Sequence, residues 1–513
     1  MYMRYLLVFV LHFIVLVNLY AQMKYDSDSI DWQRGSRQKM SYLLDYPALI
    51  QDSLQSGYGK ANLDFLSDKR NYRGAQQAYR TTSASFSAEG YNQLGRVLVA
   101  GKFYFNKTWE DSLSYRLGGI VDQPLPTYYF VPKAGEFERQ TYQADAYVSY
   151  EAVPNRWKPG INLSYLHHWA TRSVDPRMDY YEMTLKIQPE ISFIHNKTIW
   201  TVGGIVGYGR SQTDMSYKSS KYSTGNLYPE YLYYLNLGYG SFVKMDTATL
   251  RKYDSYKGLS LKTKTEIGSW SLLANADYIA RTNKSTNDRQ RMVGYYTKQS
   301  FDLDEYKINV FLNSQRTNNT SVNFEMTHVN GADLNAIYGG KNYLLTQWTG
   351  STSVTQVFHA RRRWEKEIGI DVSYFYDERQ DAATQHYTKR SYINAGFLLG
   401  GTYKTNKHDR VKWSIQPSYR LKLNNILTIP ETQLKIFSTD IAYPEYYYYD
   451  VNVFHIRSRL EYFTKRIMKN YGASFYVEGN ITSPEDFKGI QQPNTKVYTG
   501  KNAIVKVGIN LYL

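Results

Sequence analysis

The sequence predicts an all-β fold: a transmembrane antiparallel β-barrel of about 18 strands, within about 16 to 20, preceded by a short non-barrel segment. Three observations carry this. Several long stretches alternate between apolar and polar residues, with charges stacked on the polar face. Beyond the first twenty-odd residues, no apolar run is long enough for a membrane helix. The chain has 52 tyrosines in 513 residues and a mean hydropathy of −0.55. That suits strands that show lipid at every second position, enclose a polar lumen and carry aromatic rings at the interfaces. A soluble sandwich also alternates, but its strands usually run about 5–6 residues, shorter than the alternating stretches here.

From the N-terminus, "MYMRY" supplies one positive charge at Arg4, Leu6 to Tyr20 form an apolar core, and Ala21-Gln22 follows. This is the layout of a signal peptide over 1–21, too short and too abruptly followed by polar sequence for a spanning helix. With no cysteine in the chain, a thioether lipid anchor and a disulfide framework are both excluded. Residues 22–80 do not alternate. There Met40, Leu43 and Leu44 have the spacing of a short amphipathic helix that Pro47 would end, suiting a lumen plug or a periplasmic arm. The barrel is then expected over 81–513.

Alternation assigns faces along the barrel. Met183, Leu185, Ile187 and Ile191 oppose Glu182, Lys186 and Glu190; Tyr306, Ile308 and Val310 oppose Glu305, Lys307 and Asn309. Val322, Phe324 and Met326 oppose Asn323 and Glu325; Ile368, Ile370, Val372 and Tyr374 oppose Glu365, Glu367 and Asp371, with Arg361 and Arg363 just before. Phe454, Ile456, Leu460 and Tyr462 oppose His455, Arg457, Arg459 and Glu461; Phe475 and Val477 oppose Ser474 and Glu478; Val505, Val507 and Ile509 oppose Lys506 and Asn510. The charged members of the polar faces (His455, Arg457, Arg459, Glu461, Arg361, Arg363, Glu365, Glu367, Asp371 and Glu190) are the expected lumen lining.

The terminal amphipathic strand resembles the insertion signal of bacterial outer-membrane barrels and so places the C-terminus at the periplasm. Counting back, short periplasmic turns fall near 151–157, 194–198, 283–289, 317–319, 359–364, 404–410 and 465–470, with Gly268 in a tight outer turn. The short-turn windows, 244–257 included, hold essentially the whole net charge of +16. Arg361, Arg362, Arg363, Lys404, Lys407, Arg410, Lys465, Arg466 and Lys469 make up the densest part of this expected basic rim, read as headgroup contacts or as a dock for an acidic partner. The repeated Tyr-Pro-Glu-Tyr at Tyr228 and Tyr443 reads as an interfacial device, proline opening a strand and tyrosines at headgroup depth.

Asp45-Tyr46-Pro47-Ala48-Leu49 resembles the Asn-Pro-Ala hatch motif of long-chain fatty-acid transporter barrels, with Tyr46 in place of the asparagine. Along its length the chain resembles the Bacteroidota-type outer-membrane barrel families of unknown function. No nucleophile–base pair, metal-ligand spacing or phosphate loop is present: His455 and Ser458 fall on opposite strand faces, as do His167 and His168. The expectation is a pore or transporter for small solutes, with a non-conducting accessory barrel as the alternative and an outer-membrane enzyme last. No cofactor and no nucleic acid are expected. The expected partners are outer-membrane lipid and lipopolysaccharide, and a periplasmic or surface lipoprotein.

Overall fold

The computed structural model describes residues 34–50, 57–119, 124–223, 227–245, 249–287, 299–315, 319–358, 363–406, 408–468 and 471–512. The expected signal peptide lies outside them. In chain order the elements are helix α1 (Arg34–Asp45), then β1 (Gly57–Arg70), β2 (Arg80–Leu94), β3 (Val97–Leu113), β4 (Tyr128–Phe130), β5 (Gly135–Tyr150), β6 (Trp157–Arg172), β7 (Arg177–His195), β8 (Thr198–Ser216), β9 (Tyr233–Asn236), β10 (Phe242–Met245), β11 (Thr249–Ile267), β12 (Trp270–Asn287), β13 (Gln299–Gln315), β14 (Asn319–Asn335), β15 (Tyr343–Phe358), β16 (Trp364–Asp381), β17 (His386–Lys404), β18 (Asp409–Thr428), helix α2 (Tyr443–Tyr449), β19 (Val453–Met468), β20 (Tyr471–Pro484) and β21 (Asn502–Tyr512).

Eighteen of these strands form one antiparallel sheet, each paired with its neighbour in sequence, and β1 closes the ring against β21. Closure leaves no open edge, the condition for a sheet to sit in lipid. At the seam Leu63 faces Ile509 and Phe65 faces Val507 in register. All four point outward and are exposed, as are Val202, Val206, Leu259, Leu261, Ile370, Val372 and Val477 on other strands. An exposed apolar face on a ring whose inward residues are polar and buried is the inverse of a soluble barrel, and it is what a bilayer solvent requires. Among the described residues no helix is long and apolar enough to cross a membrane.

At one end the strands turn tightly, through left-handed Gly95, Asn196 and Gly268, whose φ values are 60°, 53° and 60°. At the other end several of the described connections are long and fold inward. There β4, β9 and β10 form a separate three-stranded sheet. Tyr129, Phe130, Tyr233 and Leu235 of this lid are fully buried among Phe137, Met178, Phe301, Leu345 and Phe437. The lid is pinned by a carboxylate at the long-loop end of β16: Asp381 accepts hydrogen bonds from the backbone N–H groups of Tyr239 (2.9 Å) and Ser241 (3.0 Å) and from the Ser241 hydroxyl (2.8 Å).

Four expectations are corrected here. The barrel begins at Gly57, not 81; β1 is held by backbone pairing on both sides, and its many small and polar residues show little alternation. The stretch at 233–245 alternates but belongs to the lid, because a period of two does not reveal which sheet a strand joins. Reading it as a barrel strand inverted the phase that follows: Gly268 turns at the short-turn end, while 283–287 and the start of β11 lie at the long-loop end. The described parts of the windows 244–257 and 283–291 therefore leave the basic rim. Finally, the tyrosine runs are not strand starts. Tyr443–Tyr449 is helix α2, and Pro229–Tyr231 a 3₁₀ turn, each with its proline in the first turn. Proline lacks a donor that a helix start does not need either, so it fits both readings equally.

Candidate functional site

Helix α1 and the turn Pro47–Leu49 lie inside the lumen, toward the short-turn end. The amphipathic spacing read from the sequence now has a physical cause. Leu43, Leu44, Ala48, Leu49 and Ile50 bury against Tyr91, Leu98, Ile199, Leu273 and Phe311, a rare apolar ring on the inner wall. The hatch-like Asp45–Leu49 stretch is the tip of this plug.

Polar contacts fasten the plug to widely separated strands. The Arg37 guanidinium lies 3.1 Å from Oε2 of Glu461 on β19. The Tyr42 hydroxyl donates to the carbonyl of Asn309 on β13 (3.0 Å), and the Asn309 amide donates to the Tyr46 hydroxyl (2.5 Å). Ser321 on β14 donates to Gln38 (3.3 Å), Lys102 on β3 pairs with Asp45 (2.5 Å), and Lys158 on β6 reaches the carbonyl of Ile50 (2.9 Å). Burial, reinforced by nearby carboxylates, pushes both tyrosine hydroxyls up, so Tyr42 and Tyr46 stay neutral and able to donate.

Above the plug, at mid-height of the wall, a chamber of about 500 Å³ remains. Its floor is Tyr42, Asp45 and Tyr46, and its walls include Lys102, Asp145, Tyr147, Gln188, Asp277, Lys307 and Glu325. These wall residues face inward because their strand neighbours face lipid; the alternation that exposes Ile308 and Phe324 turns Lys307 and Glu325 to the lumen. The chamber can hold a polar solute in water. Among the described residues no group of three His, Asp or Glu side chains converges as a metal site.

Of the predicted lining residues, His455, Arg457, Arg459, Glu461, Glu365, Glu367, Asp371 and Glu190 face the lumen but form wall ladders outside the chamber. Arg457 and Arg459 share Glu478 at 2.8 and 3.4 Å, and Arg459 stacks 4.0 Å from the Tyr476 ring centre. His455 bonds Thr482 (2.9 Å), Glu190 pairs with Lys262, and Gln416 donates to Asp371 (2.7 Å). Glu365 pairs with Lys404 of the adjoining β17 (2.8 Å) and Glu367 with Lys412 of β18 (3.4 Å). Arg363 covers the Tyr403 ring at 5.2 Å. Of the rim, Lys404 is thus spent on a luminal carboxylate and Arg466 on Asp409 (2.8 Å); Arg410 and Lys465 sit at the short-turn end, and Arg361, Arg362, Lys407 and Lys469 lie outside the described residues. Sequence reasoning placed Lys307, Asn309 and Glu325 on inner faces without singling them out. Arg37, Tyr42, Lys102, Asp145 and Asp277 carried no motif.

At the long-loop end, Arg420 is caged by the rings of Tyr72, Tyr392, Tyr448 and Tyr449, all within 6 Å of its guanidinium carbon. It donates to the Tyr72 hydroxyl and to the carbonyls of Tyr448 (3.0 Å) and Val451 (3.2 Å). Arg390 lies 4.1 Å from the Tyr449 ring centre and 3.4 Å from Glu445. These two arginines latch α2 to the wall. Arg420→Leu keeps the apolar bulk and removes the donors, so it is expected to cost about 2 kcal/mol and to raise protease cleavage within 429–452 while the barrel stays folded. Unchanged cleavage would show that the latch holds nothing.

A closed ring of eighteen strands, lipid-facing outside and polar within, plugged by its own N-terminal helix and lidded by its loops, is a transmembrane β-barrel of the outer-membrane type. The chain belongs to the family of unknown function DUF6850, whose model matches residues 47–513. No curated protein matches it by sequence. Among solved structures it is similar to the ferric citrate transporter FecA in its unliganded form, at 10% identity and a TM-score of 0.40, over 89% of this chain and 79% of that one. It is similar also to BauA, the ferric preacinetobactin receptor of Acinetobacter baumannii, at 8% identity and 0.38, over 88% and 80%. A Pseudomonas aeruginosa FadL homologue is similar at 9% identity and 0.31, over 89% and 90%.

Proposed function

We propose that this protein is an outer-membrane transporter for small hydrophilic solutes, closed at rest by plug and lid. The short turns then face the periplasm and the lid the exterior, the usual placement of short and long connections. The observation that carries the reading is the polar chamber of about 500 Å³ above the plug. A barrel serving only as a scaffold has no need of a solvated void at its centre, whereas a carrier does. The plug is fastened by an apolar ring and by polar contacts that water can replace, so its release costs less than unfolding the wall. No catalytic step is assigned to the chain, and its surroundings in this reading are outer-membrane lipid and lipopolysaccharide.

Planar-bilayer recording tests this. The full chain is expected to show low, intermittent conductance, and deletion of residues 34–50 to give a large steady one, because about 18 strands enclose a solute-wide lumen once emptied. If the deletion stays silent while remaining a folded barrel, the non-conducting accessory reading replaces this one, with the closed lid as its main feature.

A further inference from the structure

The charge of the chamber goes further than its size, and rests on the transporter reading above. Lys102 is neutralised by Asp45 at 2.5 Å. The other wall carboxylates take only amide hydrogen bonds: Asp145 from Gln143 (3.2 Å), Asp277 from Asn275 (2.7 Å) and Glu325 from Asn323 (3.0 Å). Against them stands Lys307, opposite Asp277 in register. The formal excess is therefore negative inside a low-dielectric wall, where a one-sign cleft concentrates counter-charge. The carboxylates sit on β5, β12 and β14, on different parts of the wall, and do not converge as a metal site requires. Tyr147, 1% exposed, and Gln188 complete the polar wall of the same space. Tyr42 and Tyr46 add ring faces suited to a cation.

We infer that the chamber is a binding site for an organic cation whose positive charge is spread along its length, of the polyamine or guanidinium class. Separated carboxylates match separated ammonium groups. The tyrosine rings cover the methylene stem.

Calorimetric titration of the full chain in detergent with spermidine, sorbitol and magnesium chloride tests it. Spermidine is expected to bind saturably and sorbitol not at all. Asp145→Asn combined with Asp277→Asn and Glu325→Gln should weaken spermidine at least tenfold, with heat-modifiable migration reporting a folded barrel. Lys307→Gln, which removes the competing charge and keeps the carboxylates, should tighten it several-fold even if the triple variant fails to assemble. Equal spermidine binding in these variants, equal binding of sorbitol, or saturable magnesium with no spermidine would overturn the inference. Spermidine binding without flux in liposomes would leave the site standing and remove the transport reading; flux of sorbitol and spermidine alike, without binding, would do the reverse.

Discussion

Glu461→Gln is expected to free the plug and leave the barrel intact. The Glu461 carboxylate is 2% exposed and accepts from Arg37 (3.1 Å), Ser474 (2.8 Å) and Arg459 (3.4 Å). Glutamine keeps the volume and the Ser474 contact but takes the Glu461 charge away from Arg37. Arg459 still has Glu478, so the wall ladder survives. Because the Arg37 side chain retains 30% exposure, the loss is set near the lower end for a charge-assisted contact, about 2 kcal/mol, roughly 30-fold in the ratio of released to seated plug. The measurement is labelling of Leu43→Cys, buried at 1% in a chain without native cysteine, by a membrane-impermeant maleimide added to purified protein. Arg37→Gln combined with Glu461→Gln should restore part of the protection, since neither charge is then stranded. If Glu461→Gln leaves labelling unchanged, the plug is held by its apolar ring and the ion pair is incidental.

Val507→Arg is expected to abolish insertion into membranes. Val507 is the central residue of β21, points to lipid at 42% exposure, and is flanked in register by Phe65 and Val477. A cation near the bilayer midplane of a barrel costs about 2–4 kcal/mol, and here it falls on the seam where the first strand must find the last. Thr327→Asp, on an inward face opposite Lys307, adds a charge of similar size to the lumen and should assemble normally. Inward position alone does not make a control: Ser474→Asp would set a second carboxylate against buried Glu461. Equal yields of folded, heat-modifiable barrel for Val507→Arg and Thr327→Asp would mean that the faces are misassigned.

The face assignments were legible because a strand sends successive side chains to opposite sides whatever its neighbours are. Ile509, Phe475, Ile370 and Ile191 point to lipid in the structure as their alternation required. The N-terminal helix was legible for a similar reason, its apolar residues recurring at helical spacing. The chamber was not. Its floor and walls come from α1 and the turn after it, β3, β5, β6, β7, β12, β13 and β14, and no local pattern marks Asp145 or Asp277 apart from any other inward carboxylate.

By itself the sequence determined that this chain crosses a membrane with strands, which side chains meet lipid, and that a helix precedes the barrel; each of these follows from a period of two or of 3.6 residues, which the backbone imposes locally. Tertiary structure alone decided that the helix sits inside the lumen, that Tyr233–Asn236 joins a lid and not the wall, that the Tyr443–Tyr449 run coils into a helix, and that Arg37 meets Glu461 across 424 positions of chain. Those outcomes depend on which surfaces the closed ring brings within a few ångströms of each other, and periodicity carries no record of that.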